Sequence, residues 1–272
     1  MEVIRSRSNE FIQLIRRLAD DPAKRRSQGL CVLLGERLIQ DWVMQGVPMH
    51  RIVIPKHWLS KPGSEDVVSA WQVDLQSTKH VEKPCAWFLL EGSLSEGIPG
   101  LGVDGAPLAL APFEEAQSLA GLPADVDLIF FDGIQDPGNL GTVMRTAAAF
   151  GVHACVPGPG CADFWSPKTL RAAMGAHQRL KLFQPMSFDD LAAAVTGPIR
   201  AADARGRMAD LSDLRHPGLW VLGAEGRGLS AIVRAHPRVS LYAIPMQSQM
   251  ESFNAAMAQG ILLYEQYRQR RE

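Results

Sequence analysis

Apolar residues along this chain come in short runs that alternate with amphipathic stretches. After a polar, charged start over 1–10, residues 11–19 read as one helix face. A short strand at 31–34, a helix at 36–44 and a second strand at 51–55 then set a β-α-β rhythm. The stretch 91–105 is rich in Gly and Ser, and 107–112 makes one more apolar strand before the weakly patterned 113–125. From 126 onward the alternation is regular. Strands are predicted at 128–131, 153–156, 180–183, 199–202, 219–222 and 240–244, and helices at about 138–150, 167–175, 188–195 and 252–270. This pattern predicts a small N-terminal α/β domain over 1–113, a linker over 114–125 and an α/β domain over 126–272 with a mostly parallel sheet covered by helices. In such sheets ligands sit at the carboxyl ends of the strands.

Composition narrows the class. The 272 residues, 46 % of them hydrophobic, can build a stable core. No stretch approaches about 18 uninterrupted apolar residues, so a signal peptide or membrane span is not expected and the cytoplasm is the expected location. The 4 cysteines (Cys31, Cys85, Cys155, Cys161) form no C-x-x-C pair and the 7 histidines no H-E-x-x-H, so reduced thiols and no metal site are expected. A net charge of −1 argues mildly against nucleic acid, but its distribution is uneven. Arg5, Arg7, Arg16, Arg17, Lys24, Arg25 and Arg26 crowd the start as a basic arm, suited to phosphate contact or to an ordinary solvated helix face. Arg268, Arg270 and Arg271 sit where cations favour the end of any helix.

Three segments carry candidate chemistry. In the first, residues 131–151, a strand runs through Asp136-Pro137 into a helix, an N-cap followed by proline at the first helical position. Leu140, Val143, Ala147 and Phe150 form its apolar stripe and Arg145 falls off it, open to a phosphate or to water. The second, residues 219–230, is an apolar strand ending in three glycines around Glu225, with Ser230 placed to cap the next helix. The third, residues 244–258, joins a strand end to a helix through a polar loop. Ser252 is a suitable N-cap there, and Phe253, Met257, Ile261 and Tyr264 read as a core-facing stripe. A literal G-x-G-x-x-G at 100–105 follows no strand and opens no helix, so it is not a dinucleotide site.

Together these segments resemble the SpoU/TrmH branch of the SPOUT methyltransferases. That family's motifs run roughly D-P-x-N-x-G-x-x-x-R-x-A-x-x-F-G, G-x-E-x-x-G-x-S and I-P-M-x-G-x-x-x-S-L-N-V-S. Order and spacing agree across most of 126–272, and Ser166-Pro167-Lys168 with 171–176 is similar to the family's intervening helix. The start of the chain, with its arm and Gly35-Glu36, more weakly resembles the ribosomal-protein-like RNA-binding domain of many relatives.

The resemblance implies a trefoil knot, which general topology rules disfavour, and a homodimer through the C-terminal domain. It also implies S-adenosylmethionine as the cofactor, held by Leu222, Gly223, Ile244, Met246 and Phe253. The implied activity is methylation of a ribose 2′-hydroxyl, of ribosomal RNA in preference to transfer RNA. The implied catalytic group is Asn139, Arg145, Glu225, Ser252 and Asn254. Arg145, from the neighbouring subunit, would clamp a phosphate, with Asn139 and Ser252 assisting, Glu225 fixing Arg145 or its own loop, and Asn254 bracing backbone. Ser248, Phe253 and Ala255-Ala256 depart from the family's Gly, Leu and Val-Ser. Two rival readings are a non-catalytic knotted RNA-binding module, opposed by the presence of Asn139 and Arg145, and an oxidoreductase using the glycine motif at 100–105.

Overall fold

In the computed structural model the described residues are 1–6, 8–77, 84–91, 105–116, 118–120, 123, 125–209, 213–247 and 252–271. Arg7, Ser248 and the glycine motif at 100–104 fall outside them. The chain divides into two compact units. No described helix is long and apolar enough to cross a membrane, and the four cysteines are free.

The first unit joins Met1–Glu114 to Asp163–Gln178. Its strands β1 (Glu2–Ile4), β2 (Leu30–Leu34), β3 (Arg51–Pro55), β4 (Ala86–Leu90) and β5 (Leu108–Pro112) lie in the order β1-β4-β3-β5-β2. β5 is antiparallel to both its neighbours and the other pairs are parallel. Helix α1 (Glu10–Asp20) buries Phe11, Ile12, Ile15 and Leu18 on the expected face. Asp21 then ends α1 and opens α2 (Pro22–Gln28) by accepting from the Ala23 and Lys24 amides. The sequence marked α3 (Glu36–Met44) closely but gave no sign of α4 (Lys56–Leu59) or α5 (Ser64–Ser77).

The basic arm does not survive as one solvated face. Arg25 is 2 % exposed. Its Nε donates to Asp163 Oδ2 at 2.7 Å, and its Nη1 to the Leu18 and Ala19 carbonyls at 2.6 and 3.0 Å. Arg26 reaches the same carboxylate at 3.3 Å and Arg5 pairs with Glu91 at 2.9 Å, whereas Arg17 is exposed. Arg25 therefore serves the fold: its loss would strand a buried carboxylate, a cost of about 3–5 kcal/mol. Asp163 also begins the segment that the sequence assigned to the second domain. Within the first unit that segment packs α7 (Pro167–Ala173) against β2 and stacks Trp165 on Phe113, ring centroids 4.4 Å apart.

The second unit comprises Glu115–Ala162 and Arg179–Glu272. Its sheet is parallel throughout, in the order β11-β9-β10-β6-β7-β8. The strands are β6 (Leu128–Asp132), β7 (Ala154–Pro157), β8 (Lys181–Leu182), β9 (Ile199–Met208), β10 (Leu219–Gly223) and β11 (Val239–Ala243), with helices α6 (Pro137–Ala149), α8 (Phe188–Ala194), α9 (Ala231–Ala235) and α10 (Ala255–Gln269). Ala116, expected in a linker, bridges to Phe183 at the edge. Phe130, Val156, Phe183, Leu191, Ile199 and Val221 are among its core residues.

Two expectations for the last helix are corrected. α10 starts at Ala255 and is capped by Asn254, not Ser252: Asn254 Oδ1 accepts from the Ala256 and Met257 amides at 3.0 and 3.3 Å. The stripe expected in the core points outward, with Phe253, Met257 and Tyr264 at 40, 58 and 54 % exposure. The buried face instead carries Ala256, Gln259, Leu262, Leu263 and Gln266.

In the first unit His177 is fully buried near Trp42 and Trp165, its Nε2 donating to the Phe164 carbonyl at 2.8 Å. Burial pushes its imidazole down from 6.5 to about 4, against the pull of that carbonyl and of Asp163. Its stabilising contribution is complete above pH 6.5 and is lost as the pH falls towards about 4, where only the unfolded chain takes up the proton. The loss should approach about 3 kcal/mol. Urea titrations from pH 7.5 to 4 should show it, and His177→Gln should flatten that slope.

Candidate functional site

At the carboxyl edge of the second sheet, the ends of β9, β10 and β11 and the start of α10 surround a cavity of about 670 Å³. Leu222, Gly223, Ile244, Met246 and Phe253, the residues expected to hold a cofactor, all line it. Behind β10 the chain doubles back tightly, with Ala224 and Gly228 exchanging amide-to-carbonyl bonds of 3.1 and 2.8 Å. Gly226 and Gly228 both adopt positive φ, 74° and 68°. Next, the Ser230 amide donates to Asp132 Oδ2 at 2.6 Å and the Ser230 hydroxyl caps α9, as expected.

Gly223 is required for a reason the sequence did not give. A Cβ there would lie 2.4 Å from the Gly228 carbonyl carbon and 2.5 Å from the Leu229 nitrogen. The first obstacle to a side chain is thus the protein's own main chain rather than a ligand.

A polar cluster closes one rim. Asp136 caps α6 by accepting from the Asn139 amide at 2.8 Å. The Asn139 side chain donates through Nδ2 to Glu225 Oε1 and accepts at Oδ1 from Asn254 Nδ2 at 3.3 Å. Glu225, Ser252 and Asn254 also line the cavity. Glu225 therefore holds Asn139, where it was expected to hold Arg145 or its own loop. Arg145 is not brought to this cluster: it is exposed on α6 and makes no ion pair among the described residues.

Sequence reasoning missed Asp132, Asp203, Arg205, Arg234 and Tyr242, the last four of which line the cavity. The only available signal was position, since Asp132 and Asp203 lie towards the carboxyl ends of predicted strands. Of the cavity's described cations, Arg205 and Arg234 both face Asp203, at 3.2 and 2.9 Å. The cavity thus offers main chain, apolar side chains and a carboxylate, and keeps no free cation for a phosphate. It suits an uncharged or cationic organic ligand without phosphate groups. Among the described residues no cluster of His, Cys, Asp or Glu could hold a metal ion.

Residues 128–264 match the SpoU rRNA Methylase family. The 23S rRNA (guanosine(2553)-2′-O)-methyltransferase RlmP of Bacillus subtilis is 36 % identical over 140 residues, 50 % of this chain and 56 % of that protein. The chain therefore spans little more than half the length of that relative. An uncharacterized tRNA/rRNA methyltransferase of Synechocystis is 29 % identical, with 98 % of this chain and 93 % of that protein aligned. Among solved structures, the SpoU methyltransferase AviRb from Streptomyces viridochromogenes in complex with AdoMet superposes with a TM-score of 0.76 at 25 % identity, covering 96 % and 99 % of the two chains. An RNA 2′-O ribose methyltransferase gives 0.78 at 26 % identity, covering 99 % and 100 %.

The geometry separates structural from site roles by substitution. Gly223→Ala forces the 228–229 main chain to move and should cost about 1–3 kcal/mol, measured as a lowered melting temperature. Asn254→Ala should cost about 1 kcal/mol through the lost cap. Asn254→Asp should restore that stability, since a carboxylate still accepts from the Ala256 and Met257 amides, while the bond to Asn139 stays lost.

Proposed function

Because the chain belongs to the SpoU rRNA Methylase family, we propose that it transfers the methyl group of S-adenosylmethionine to a ribose 2′-hydroxyl of RNA. Ribosomal RNA is the favoured substrate over transfer RNA, since the characterised relative named above acts on 23S rRNA. The observation that carries the reading is the cavity itself, with phosphate-free chemistry in its walls and the Asn139, Glu225 and Asn254 cluster at its rim. The donor has no phosphate, carries a sulfonium cation and is of a size that a cavity of about 670 Å³ accommodates. When bound, it supplies an electrophilic methyl group.

Leu222, Gly223, Ile244 and Met246 present the walls that would hold it, together with the partly exposed Phe253. The chain's remaining task is to orient the ribose oxygen and manage its proton. A guanidinium stays protonated, so Arg145 acts by gripping the neighbouring phosphate and fixing the hydroxyl, rather than as a base. Asn139 and Ser252 assist at the rim.

The protein works as a homodimer in this reading, with each cavity served by Arg145 of the partner subunit. Arg145 stands clear of its own chain's rim cluster, and α10 leaves Met257 and Tyr264 uncovered. The helices that carry them pack together: a Cβ on Gly260 of α10 would stand 3.6 Å from Thr146 Cγ2 of α6. The trefoil knot belongs to the same reading. The place of action is the cytoplasm.

Labelled methyl incorporation into ribosomal and transfer RNA tests the reaction, and mapping of 2′-O-methyl positions tests the substrate. Arg145→Ala should bind the donor normally and transfer at least about 100-fold more slowly, with Arg145→Lys recovering little because an ammonium cannot make the planar two-point contact. Full activity in Arg145→Ala would remove the arginine from the mechanism. Met257→Lys should shift the protein towards monomer in sedimentation and reduce activity with it. A dimer that persists unchanged would place the subunit contact elsewhere.

A further inference from the structure

The long strand β9 breaks register beside the cavity. It pairs with β11 up to Ala201, opposite Leu241, and resumes at Arg207, opposite the very next residue, Tyr242. Residues 202–206 therefore have no counterpart on β11 and bow out of the sheet. On its other side β9 loses β10 at the same level, the last pair being Val221 and Ala201. Ala202, Asp203, Ala204 and Arg205 of the bulge form one wall of the cavity.

The bulge is built to a fixed shape. At its crest Asp203 Oδ1 accepts from the Arg205 amide at 2.9 Å, closing a side-chain turn. At its return Gly206 lies flat on β11, where a Cβ would stand 2.4 Å from the Leu241 carbonyl carbon and 2.5 Å from the Tyr242 nitrogen. Across the cavity, Arg234 of α9 reaches back to Asp203, Nη2 to Oδ2 at 2.9 Å. The Asp203 side chain is only 7 % exposed and that of Arg234 34 %. Arg234 also borders the glycine turn: its Nη2 would lie 3.4 Å from a Cβ on Gly228.

We propose that Asp203 and Arg234 are a positioning pair that locks the 202–206 bulge to the α9 side of the cavity and so sets how tightly the methyl donor is held. The inference rests on the reading that this cavity takes S-adenosylmethionine. A wall lacking sheet partners at this level is mobile unless tied, and ordering it upon binding weakens affinity. Neither side chain belongs to the rim cluster of Asn139, Glu225 and Asn254, so the pair acts on donor binding and leaves the transfer step alone.

Calorimetry with S-adenosylmethionine on the full chain, together with donor-dependent kinetics, tests this. Arg234→Gln should raise the donor Kd and KM in parallel by about tenfold, with kcat at saturating donor within about twofold of the parent. Arg234→Lys should regain most of the affinity, because it keeps the charge opposite Asp203. The double variant Asp203→Asn with Arg234→Gln should bind no more weakly than the poorer single variant, since either change alone breaks the pair. Parental affinity in a folded Arg234→Gln protein, a loss confined to kcat, or losses that multiply in the double variant would each overturn the proposal. Should Arg234→Gln fail to fold, Arg234→Lys decides, with unaltered stability and a tenfold loss of affinity counting against the pair. A parent chain that binds no S-adenosylmethionine would overturn the functional reading itself, and the pair's role in donor binding with it.

Discussion

One side-chain amide holds the rim of the cavity together. Asn139 donates to Glu225, 86 residues further on, and accepts from Asn254, 115 residues further on. Its own position is set by the Asp136 cap and the proline behind it. The first turn of α6, the turn after β10 and the first turn of α10 are therefore fixed by one planar group with a donor and an acceptor end. Asparagine suits this place because both ends are used. Aspartate could still accept from Asn254 but would lose the donation to Glu225 and repel its carboxylate, and alanine would let the three segments part. The rim inherits its rigidity from this link, and the glycine turn behind it from main-chain contacts that exclude a side chain at Gly223.

Charge counting says little about this chain, because so many of its arginines are used internally. Arg25 and Arg26 serve Asp163, Arg270 serves Asp127, Arg234 serves Asp203, and Arg238 donates to the Ala192, Val195 and Gly197 carbonyls. A net charge of −1 thus coexists with exposed arginines such as Arg145 and Arg227, which make no ion pair among the described residues. Partnerless guanidinium groups are better pointers to a phosphate-bearing partner than a run of basic letters. Arg25 shows why: within an apparent basic arm it is among the most deeply buried large side chains of its unit.

The second unit was legible wherever local chemistry and tertiary role agree. The β6-to-α6 segment carries an apolar run, a cap and a proline, and the structure places it within a residue of expectation. The same holds for α3 and β3, where periodicity alone sufficed. What stayed hidden depends on partners distant in sequence. β1 is three residues long and exists through its pairing with β4, and the extension of β9 through Met208 is polar and exposed, so neither leaves an apolar pattern. The cap of α10 was misplaced by two residues because Ser252 and Asn254 are equally good caps on paper, and only the bonds to Ala256 and Met257 choose between them. The residues that the family motifs single out for the cofactor line one cavity, whereas Asp203 and Arg234 lie outside those motifs and come together only in the folded sheet.

The reversed polarity of α10 belongs to the same class of failure and explains more than it obscures. An amphipathic helix turns its apolar stripe inward; α10, which packs on α6 as well as the sheet, buries glutamines beside Leu262 and Leu263 and leaves Met257 and Tyr264 more than half exposed. The inward amides are tolerable because most are matched: Gln266 accepts from the Trp220 indole at 2.9 Å and donates to Asp127 at 3.2 Å, and Gln269 accepts from the Leu214 amide at 2.8 Å. On the outward side the compensation is only partial: Tyr264 meets the Phe150 ring, centroids 6.1 Å apart, yet stays 54 % exposed, and Met257 is 58 % exposed. Exposed apolar side chains about two turns apart on one helix face are unfavourable in water and become favourable against a second apolar surface. A second copy meeting at α10 would supply that surface with the same residues. Because α6 packs on α10, that copy would also bring a second α6, with its exposed Arg145, to the contact. Under the proposed homodimer, the outward residues of α10 and the exposed Arg145 of α6 would find their partners in one symmetric contact.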